Sequence, residues 1–231
     1  VHYLLPVWIS ASHGTIAQST LCLTVLLSVA TSKSWIQHAK EIINSKIFRV
    51  SLTVTALIWI QLVLGAVMRH SEAGLIAFDF PLMNGDLIPS IDRIYDYNEI
   101  RNDFIWDNVD NADSTLTQRH LLDEHLEPIT PFKMLIHFAH RFWAFVVLSG
   151  VLYLFFVVIK LSNENDLMKV SATFLLFTAL IQITLGIFSI WSIRDILITT
   201  LHVGNGSLVL ATSFYITIWS WRLKTKKASI I

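Results

Sequence analysis

The chain of 231 residues is 54% hydrophobic and only 15% charged, and its 17 Lys and Arg residues balance its 17 Asp and Glu residues. Soluble domains carry about 25% charged residues, so this composition and a mean hydropathy of +0.58 indicate a membrane protein. The absence of a basic surplus argues against a nucleic-acid partner. A single cysteine, Cys22, excludes an internal disulfide framework.

Five apolar stretches are long enough to cross a bilayer, which takes about 20 residues. Lipid cannot hydrogen-bond the backbone, so each stretch is predicted to be a helix. The predicted fold class is therefore all-α, a polytopic transmembrane helix bundle. In chain order the spans run from Trp8 to Ala30, Phe48 to Met68, Met134 to Ile159, Val170 to Trp191 and Ile196 to Trp221.

The charges predict an orientation. Lys and Arg residues follow the first, third and fifth spans, whereas residues 70–132 hold thirteen Asp and Glu against three Arg. By the positive-inside rule, loop 70–132 lies on the outer side. The membrane is then a bacterial plasma membrane or a mitochondrial inner membrane, and those three spans run from outside to inside.

Loop 70–132 is too varied in sequence to be low-complexity. Asp79-Phe80-Pro81 and Asn84-Gly85 predict turns near the membrane. Asp113-Ser114 predicts the start of a short helix over 115–127, which Pro128 would end. A loop of this length is usually functional or disordered, and it could cover the membrane site or bind an electron-transfer partner.

The first and fifth spans resemble each other. Each has one His near its outer end, at His13 and His202, followed by a glycine and a run of Ser, Thr and Leu. Repeated halves are common in membrane proteins. If the fifth span ends one repeat, the first span ends the preceding one, and three further helices are expected before residue 1.

Three histidines lie inside the spans at similar depth. His140 and His202 are each roughly 10 Å below the outer surface at 1.5 Å per residue, and His13 lies in the same layer. Ionisable groups at this depth are rare and usually functional. Two facing imidazoles in a helical bundle can take both axial positions of a haem iron. An ordinary hydrogen bond between helices is the competing interpretation, and both stay open at this point.

Nearby cations fit the haem interpretation, because a haem carries two propionates. Arg141, Arg69 and His70 lie toward the outer surface, although Arg141 could instead pair with a loop carboxylate. His137, one turn before His140, is an alternative ligand, a partner of the site or a core residue. We favour the last two.

Four motifs in order resemble the haem A synthase family of cytochrome oxidase assembly enzymes. They are SHGTIAQ from Ser12, GAVMRHSEAGL from Gly65, DFPLMNG from Asp79 and IHFAHR from Ile136. The family patterns are "SHxxxAQ", "GxxVRHTGxGL…DxPLxNG" and "QFxHR". The similarity covers residues 1 to about 222.

The resemblance implies an eight-helix bundle of two four-helix halves, of which five spans are present here. Residues 1–32 would be the last helix of the N-terminal half, and 33–47 a cytoplasmic loop. Residues 48–222, including loop 70–132, would be the C-terminal haem-binding half, and 223–231 a cytoplasmic tail.

By the same resemblance, His140 and His202 ligate the iron of a haem b cofactor, and His13 ligates the substrate haem. The family reaction oxidises the methyl group of haem O to the formyl group of haem A for cytochrome oxidase, with oxygen from water. The expected partners are haem O, the haem O synthase that supplies it, membrane lipid and an unidentified electron acceptor. A homo-oligomer stays open.

Two departures from the family pattern matter. Ala77 and Met83 stand where many members carry a cysteine pair, which excludes a redox role for that pair. The proposed catalytic Glu of the family belongs to an "ExxHR" motif in the missing part, and His137 stands at the equivalent place here. We therefore assign no catalytic residue and expect the chain alone to be inactive. The alternatives are a bis-His cytochrome b that only transfers electrons and a haem chaperone without redox chemistry.

Overall fold

The computed structural model describes residues 6–37, 43–111, 127–162 and 166–223. They confirm the all-α prediction, since no β-strand occurs among these residues. Short 3-10 turns lie at Ala73–Leu75 and Ile91–Arg93. The α-helices are α1 (Val7–Ala30), α2 (Lys33–Gln37), α3 (Ser45–His70), α4 (Ile94–Asn111), α5 (Pro131–Leu161), α6 (Asp166–Trp191) and α7 (Ile196–Leu223).

The five predicted spans are confirmed as α1, α3, α5, α6 and α7, each long and apolar enough to cross a membrane. Most of them extend beyond the apolar stretch. Helix α5 begins at Pro131 because Thr130 caps it by accepting from the Lys133 backbone N–H, and because proline suits a first helical position. Its 31 residues span about 45 Å, against a hydrocarbon thickness of about 30 Å. The helix is therefore longer than the hydrocarbon core is thick.

Four of these helices form a ring in the order α3, α5, α6, α7, with α7 packed back against α3. Helices α5 and α7 lie at diagonally opposite corners, and α1 packs outside the ring against α3 and α7. The ring interior is mostly aliphatic, with Val54, Leu154 and Leu210 among its most buried residues. This arrangement makes the two helices with the predicted haem ligands face each other across the centre.

Hydroxyl groups join α3 to α7 in the half of the ring away from loop 70–132. Thr55 Oγ1 lies 2.7 Å from Ser213 Oγ and 2.9 Å from Thr217 Oγ1, and Ser51 Oγ lies 3.0 Å from Ser220 Oγ. All of these residues are buried. Buried hydroxyls in a membrane bundle need such partners, because lipid offers none.

Between α3 and α5 the chain folds into a structure that we call the lid, residues 71–111 and 127–130. It has its own buried hydrophobic cluster. The cluster includes Ala77 and Met83, which stand where many family members carry a cysteine pair. Helix α4 belongs to the lid and was not predicted from the sequence. The predicted helix over 115–127 lies, apart from Glu127, outside the described residues.

The predicted turns in the lid are confirmed. Both carboxylate oxygens of Asp79 accept backbone N–H groups at 2.7 Å, one from Asn84 and one from Gly85. Asn84 and Gly85 have φ values of 54° and 86°, which suit asparagine and glycine. Met83 and Asp86 then pair across this tight turn. The DFPLMNG motif is thus a self-contained turn closed by its own aspartate.

Candidate functional site

His140 lies on α5 with its ring against α3. The amide nitrogen of Gln61 is 3.3 Å from Nδ1 and 3.4 Å from Nε2 of the ring, and 3.1 Å from the His140 carbonyl oxygen. One turn further along α3, Gly65 leaves room for the imidazole. A Cβ at Gly65 would lie only 2.9 Å from His140 Cε1.

His202 lies on α7 with its ring against α6, in the same kind of environment. The amide nitrogen of Gln182 is 3.3 Å from Nδ1 and 3.4 Å from Nε2. A Cβ at Gly186 would lie 3.1 Å from His202 Cε1. The Gln182 amide oxygen accepts from Asn205 Nδ2 at 2.8 Å, which joins it to the helix that carries His202.

The two histidines therefore occupy matching positions in the ring. Each contacts a Gln-x-x-x-Gly segment of a neighbouring helix: QLVLG from Gln61 on α3 and QITLG from Gln182 on α6. Their helices are diagonal. The structure thus places His140 and His202 in equivalent environments on opposite helices of the ring, and their role as iron ligands stays a prediction.

Both imidazoles can still bind another group. A neutral imidazole has one acceptor nitrogen, and a donor almost equally distant from both ring nitrogens does not lie along its in-plane lone pair. A neutral imidazole can offer Nδ1 or Nε2 to a metal while its other nitrogen carries the proton. Among the described residues no group of three or more His, Cys, Asp or Glu could hold a metal ion. A haem iron, whose other four ligands come from the porphyrin, needs only an axial pair.

His137 has a different environment from His140. It is only 1% exposed, and its Nδ1 lies 2.5 Å from the carbonyl oxygen of Ala73 in the lid. Its Nε2 is buried and has no hydrogen-bond partner. These contacts favour the interpretation of His137 as a core residue under the lid.

Arg141 also holds the lid. Its Nη1 donates to the carbonyl oxygens of Asp79 at 2.8 Å and Leu82 at 2.6 Å, and its Nη2 to that of Ala77 at 2.6 Å. Its partners are therefore backbone carbonyls, and the side chain is buried. The pairing of Arg141 with a propionate stays a prediction.

Charged groups tie the lid together further from the bundle. Burial and the hydrogen bond that Tyr97 donates to Asp86 raise the pKa of Tyr97. Lys133, at the start of α5, donates to the Glu127 carboxylate at 2.7 Å and lowers the pKa of Glu127. Arg101 donates to the Glu127 carbonyl oxygen at 2.9 Å, and burial lowers the pKa of Arg101.

The sequence profile of the family described as "Cytochrome oxidase assembly protein" matches residues 5–214. The chain belongs to this family. Curated relatives named "Heme A synthase" include one from Novosphingobium aromaticivorans, 28% identical over 224 residues, which are 93% of this chain and 53% of the relative. One from Rickettsia bellii is 27% identical over 173 residues, 75% of this chain and 41% of the relative. The chain spans about half the length of the curated relatives it matches.

The other predicted site residues of this cytochrome oxidase assembly family member lie at the surface of the described part. His13 is exposed on α1. Arg69 and His70 are exposed in the last turn of α3, next to the lid. None of the three is brought into the centre of the ring with His140 and His202.

Sequence reasoning missed the glutamines and glycines that contact the two histidines. The sequence comparison paired the first span with the fifth because each carries a histidine. In the structure α3 and α6 also correspond, because each places a Gln-x-x-x-Gly segment against a histidine. The signal was present, because the two segments have identical spacing. The sequence does not show that each segment contacts a histidine of another helix, and only that contact indicates a role for the segment.

Proposed function

We propose that this chain is the haem-b-binding half of a haem A synthase, which oxidises the methyl group of haem O to the formyl group of haem A. The observation that carries the proposal is the matched placement of His140 and His202 on diagonal helices, each against a Gln-x-x-x-Gly segment. The family membership and the names of the relatives support it.

The donor set at the ring fits a haem, because two neutral imidazoles suit a haem iron. His140 and His202 would hold the iron, since each has ring nitrogens without a well-directed hydrogen bond. When bound there, the haem would supply one-electron redox chemistry. Arg69, His70 and Arg141 would contribute positive charge for the propionates, and His13 would bind the substrate haem.

The protein's own contribution is orientation and exclusion of water. The interior of the helix ring is mostly apolar, and the lid covers one end of the ring through His137 and Arg141. We place the lid on the outer side of a bacterial plasma membrane or mitochondrial inner membrane, from the charge pattern. A haem O synthase would supply the substrate, and an electron acceptor would take the electrons.

These residues alone would not complete the reaction. The resemblance implies a substrate site with a second histidine and a catalytic Glu from an "ExxHR" motif, and this sequence has no such motif. In a host that makes haem O, membranes with this chain alone should contain haem b and haem O but no haem A. Recovery of haem A by pigment extraction would contradict this part of the proposal.

The haem ligands are tested by a reduced-minus-oxidised visible spectrum of the detergent-purified chain. We expect a low-spin haem b band that His140→Ala and His202→Ala each abolish. His137→Gln is the matched control on the same helix and should keep the band. Absence of haem from a folded preparation, or a band indifferent to both alanine substitutions, would refute the ligand assignment.

The same preparation separates the haem chaperone from a protein with a resident cofactor. A chaperone would give up its haem readily to excess apomyoglobin, whereas a cofactor inside the ring would transfer slowly. A plain cytochrome b would also retain haem. It would be distinguished by the absence of haem A from cells that make haem O and co-express this chain with only the N-terminal half of a curated relative.

A further inference from the structure

We propose that Gln61 with Gly65, and Gln182 with Gly186, are two copies of one positioning element, which we call the imidazole seat. Each seat would fix the orientation of one histidine ring, the first that of His140 on α5 and the second that of His202 on α7. The inference rests on the proposed function, because the rings are oriented for a haem iron. The seat residues themselves do not touch the iron.

The glycine of each seat is required by the close approach of the ring. A Cβ at Gly65 would lie 2.9 Å from His140 Cε1, and one at Gly186 would lie 3.1 Å from His202 Cε1. An alanine at Gly65 would force the His140 ring to shift, and one at Gly186 would push the His202 ring by a few tenths of an ångström. Gly150 on α5 differs, since a Cβ there would meet Leu57 and Val54 at 3.4 Å, an ordinary contact.

The glutamine of each seat lies one helical turn before the glycine, so both face the same ring. Each amide is also tied to the helix that carries its histidine. Gln61 Nε2 donates to the backbone carbonyl oxygen of His140 at 3.1 Å, and Gln182 Oε1 accepts from Asn205 Nδ2 at 2.8 Å. In both seats the amide is thereby held against the helix that carries the histidine.

An amide side chain suits a metal-binding imidazole because it carries both donors and an acceptor. A histidine that binds a metal through one nitrogen almost always donates its other N–H to an acceptor. Gln61 Oε1 is a buried acceptor without a hydrogen-bond partner, on the side chain that already contacts His140. If the amide turned its oxygen toward the ring N–H, it would exchange the bond from Nε2 to the His140 carbonyl oxygen for one that Oε1 accepts from the imidazole.

The test compares haem affinity and the low-spin electron paramagnetic resonance signal of the purified full chain and its variants. Affinity is measured by competition with apomyoglobin. The seat variants are Gln61→Met, Gln182→Met, Gly65→Ala and Gly186→Ala. The matched controls are Thr173→Val, which removes an exposed hydroxyl that bonds only within α6, and Gly150→Ala, which adds a methyl group away from the histidines.

We expect each glutamine variant to bind haem roughly 10–100-fold more weakly, with a changed resonance signal, and both controls to match the wild type. The glycine variants should show the same defect or lose the haem. If a glycine variant fails to fold, the glutamine variants decide, because methionine keeps the side-chain length and adds no atom next to the ring.

Two results would overturn the inference, and they are distinguishable. A haem band that depends on His140 and His202, with wild-type affinity and resonance signal in both glutamine variants, would refute the imidazole seats and leave the proposed function standing. A wild type without haem, or a band indifferent to His140→Ala and His202→Ala, would refute the proposed function and the seats together.

Discussion

Arg141→Met should release the lid turn from the helix ring. The guanidinium donates three hydrogen bonds to carbonyl oxygens of the lid, those of Ala77, Asp79 and Leu82. Hydrogen bonds to charged groups contribute about 1.5–3 kcal/mol each, although three bonds to one group are not additive. Methionine would leave the three carbonyls unpaired. We expect the free energy of local opening to fall by about 3–5 kcal/mol.

At about 1.4 kcal/mol per tenfold change, this loss raises the population of the open turn by at least about a hundredfold. Hydrogen–deuterium exchange of the peptide over 77–86 measures it, because the amides of Asn84 and Gly85 are protected by the Asp79 carboxylate. Arg49→Met, which removes an exposed arginine at the opposite end of α3, is the control. Unchanged protection of 77–86 in Arg141→Met would show that the arginine does not hold the lid.

Three smaller effects follow from other contacts. Thr55→Val should lower the free energy of unfolding by about 0.6–1.7 kcal/mol, the range for hydrogen bonds between membrane helices, and SDS titration would show no change if the hydroxyl bonds contribute nothing. Gly85→Ala should destabilise the lid turn by about 1 kcal/mol because its φ is 86°; unchanged exchange over 77–86 would contradict this. Lys133 lowers the pKa of Glu127. The ion pair therefore stabilises the fold fully at a pH above the ordinary pKa of Glu, and this stabilisation is lost as the pH falls through the lowered pKa of Glu127. The melting temperature of Glu127→Gln should therefore be slightly lower than that of the wild type at pH 7 and equal to it in acid. A difference in melting temperature that does not depend on pH would refute the pairing.

The helix bundle was predictable because lipid leaves a long apolar stretch few alternatives. Helix α4 was missed because charged residues interrupt its apolar positions. Its buried side chains, Tyr97, Arg101 and Ile105, recur every four residues and mark one helix face. Because Arg101 lies in the middle of that face, the face does not look apolar in the sequence. Only the structure shows that the buried Arg101 donates a hydrogen bond to the Glu127 carbonyl oxygen.

Some residues of the candidate site could be predicted from the sequence and others could not. His140 and His202 could be found from the sequence because ionisable residues inside spans are conspicuous. The partners of Arg141 could not, since they are carbonyl oxygens about sixty residues earlier in the chain, presented by the lid turn. Every residue has a backbone carbonyl group, so a sequence does not indicate which carbonyl oxygens a side chain will contact. For this reason the sequence suggested only charged partners for Arg141, a loop carboxylate or a propionate.

If His140 and His202 bind one iron, as we propose, the distance between the helix pairs that carry them has to be fixed. His140 belongs to the pair α3–α5 and His202 to the pair α6–α7. At one end of the ring Thr55 joins the two pairs through its bonds to α7. At the other end the lid is held by Arg141 of the first pair, and it accepts a hydrogen bond at the Phe78 carbonyl oxygen from Trp191 of the second, at 2.8 Å. The lid therefore does more than cover the ring: it joins the pair that carries His140 to the pair that carries His202, so loosening it should widen the range of distances between the two imidazoles.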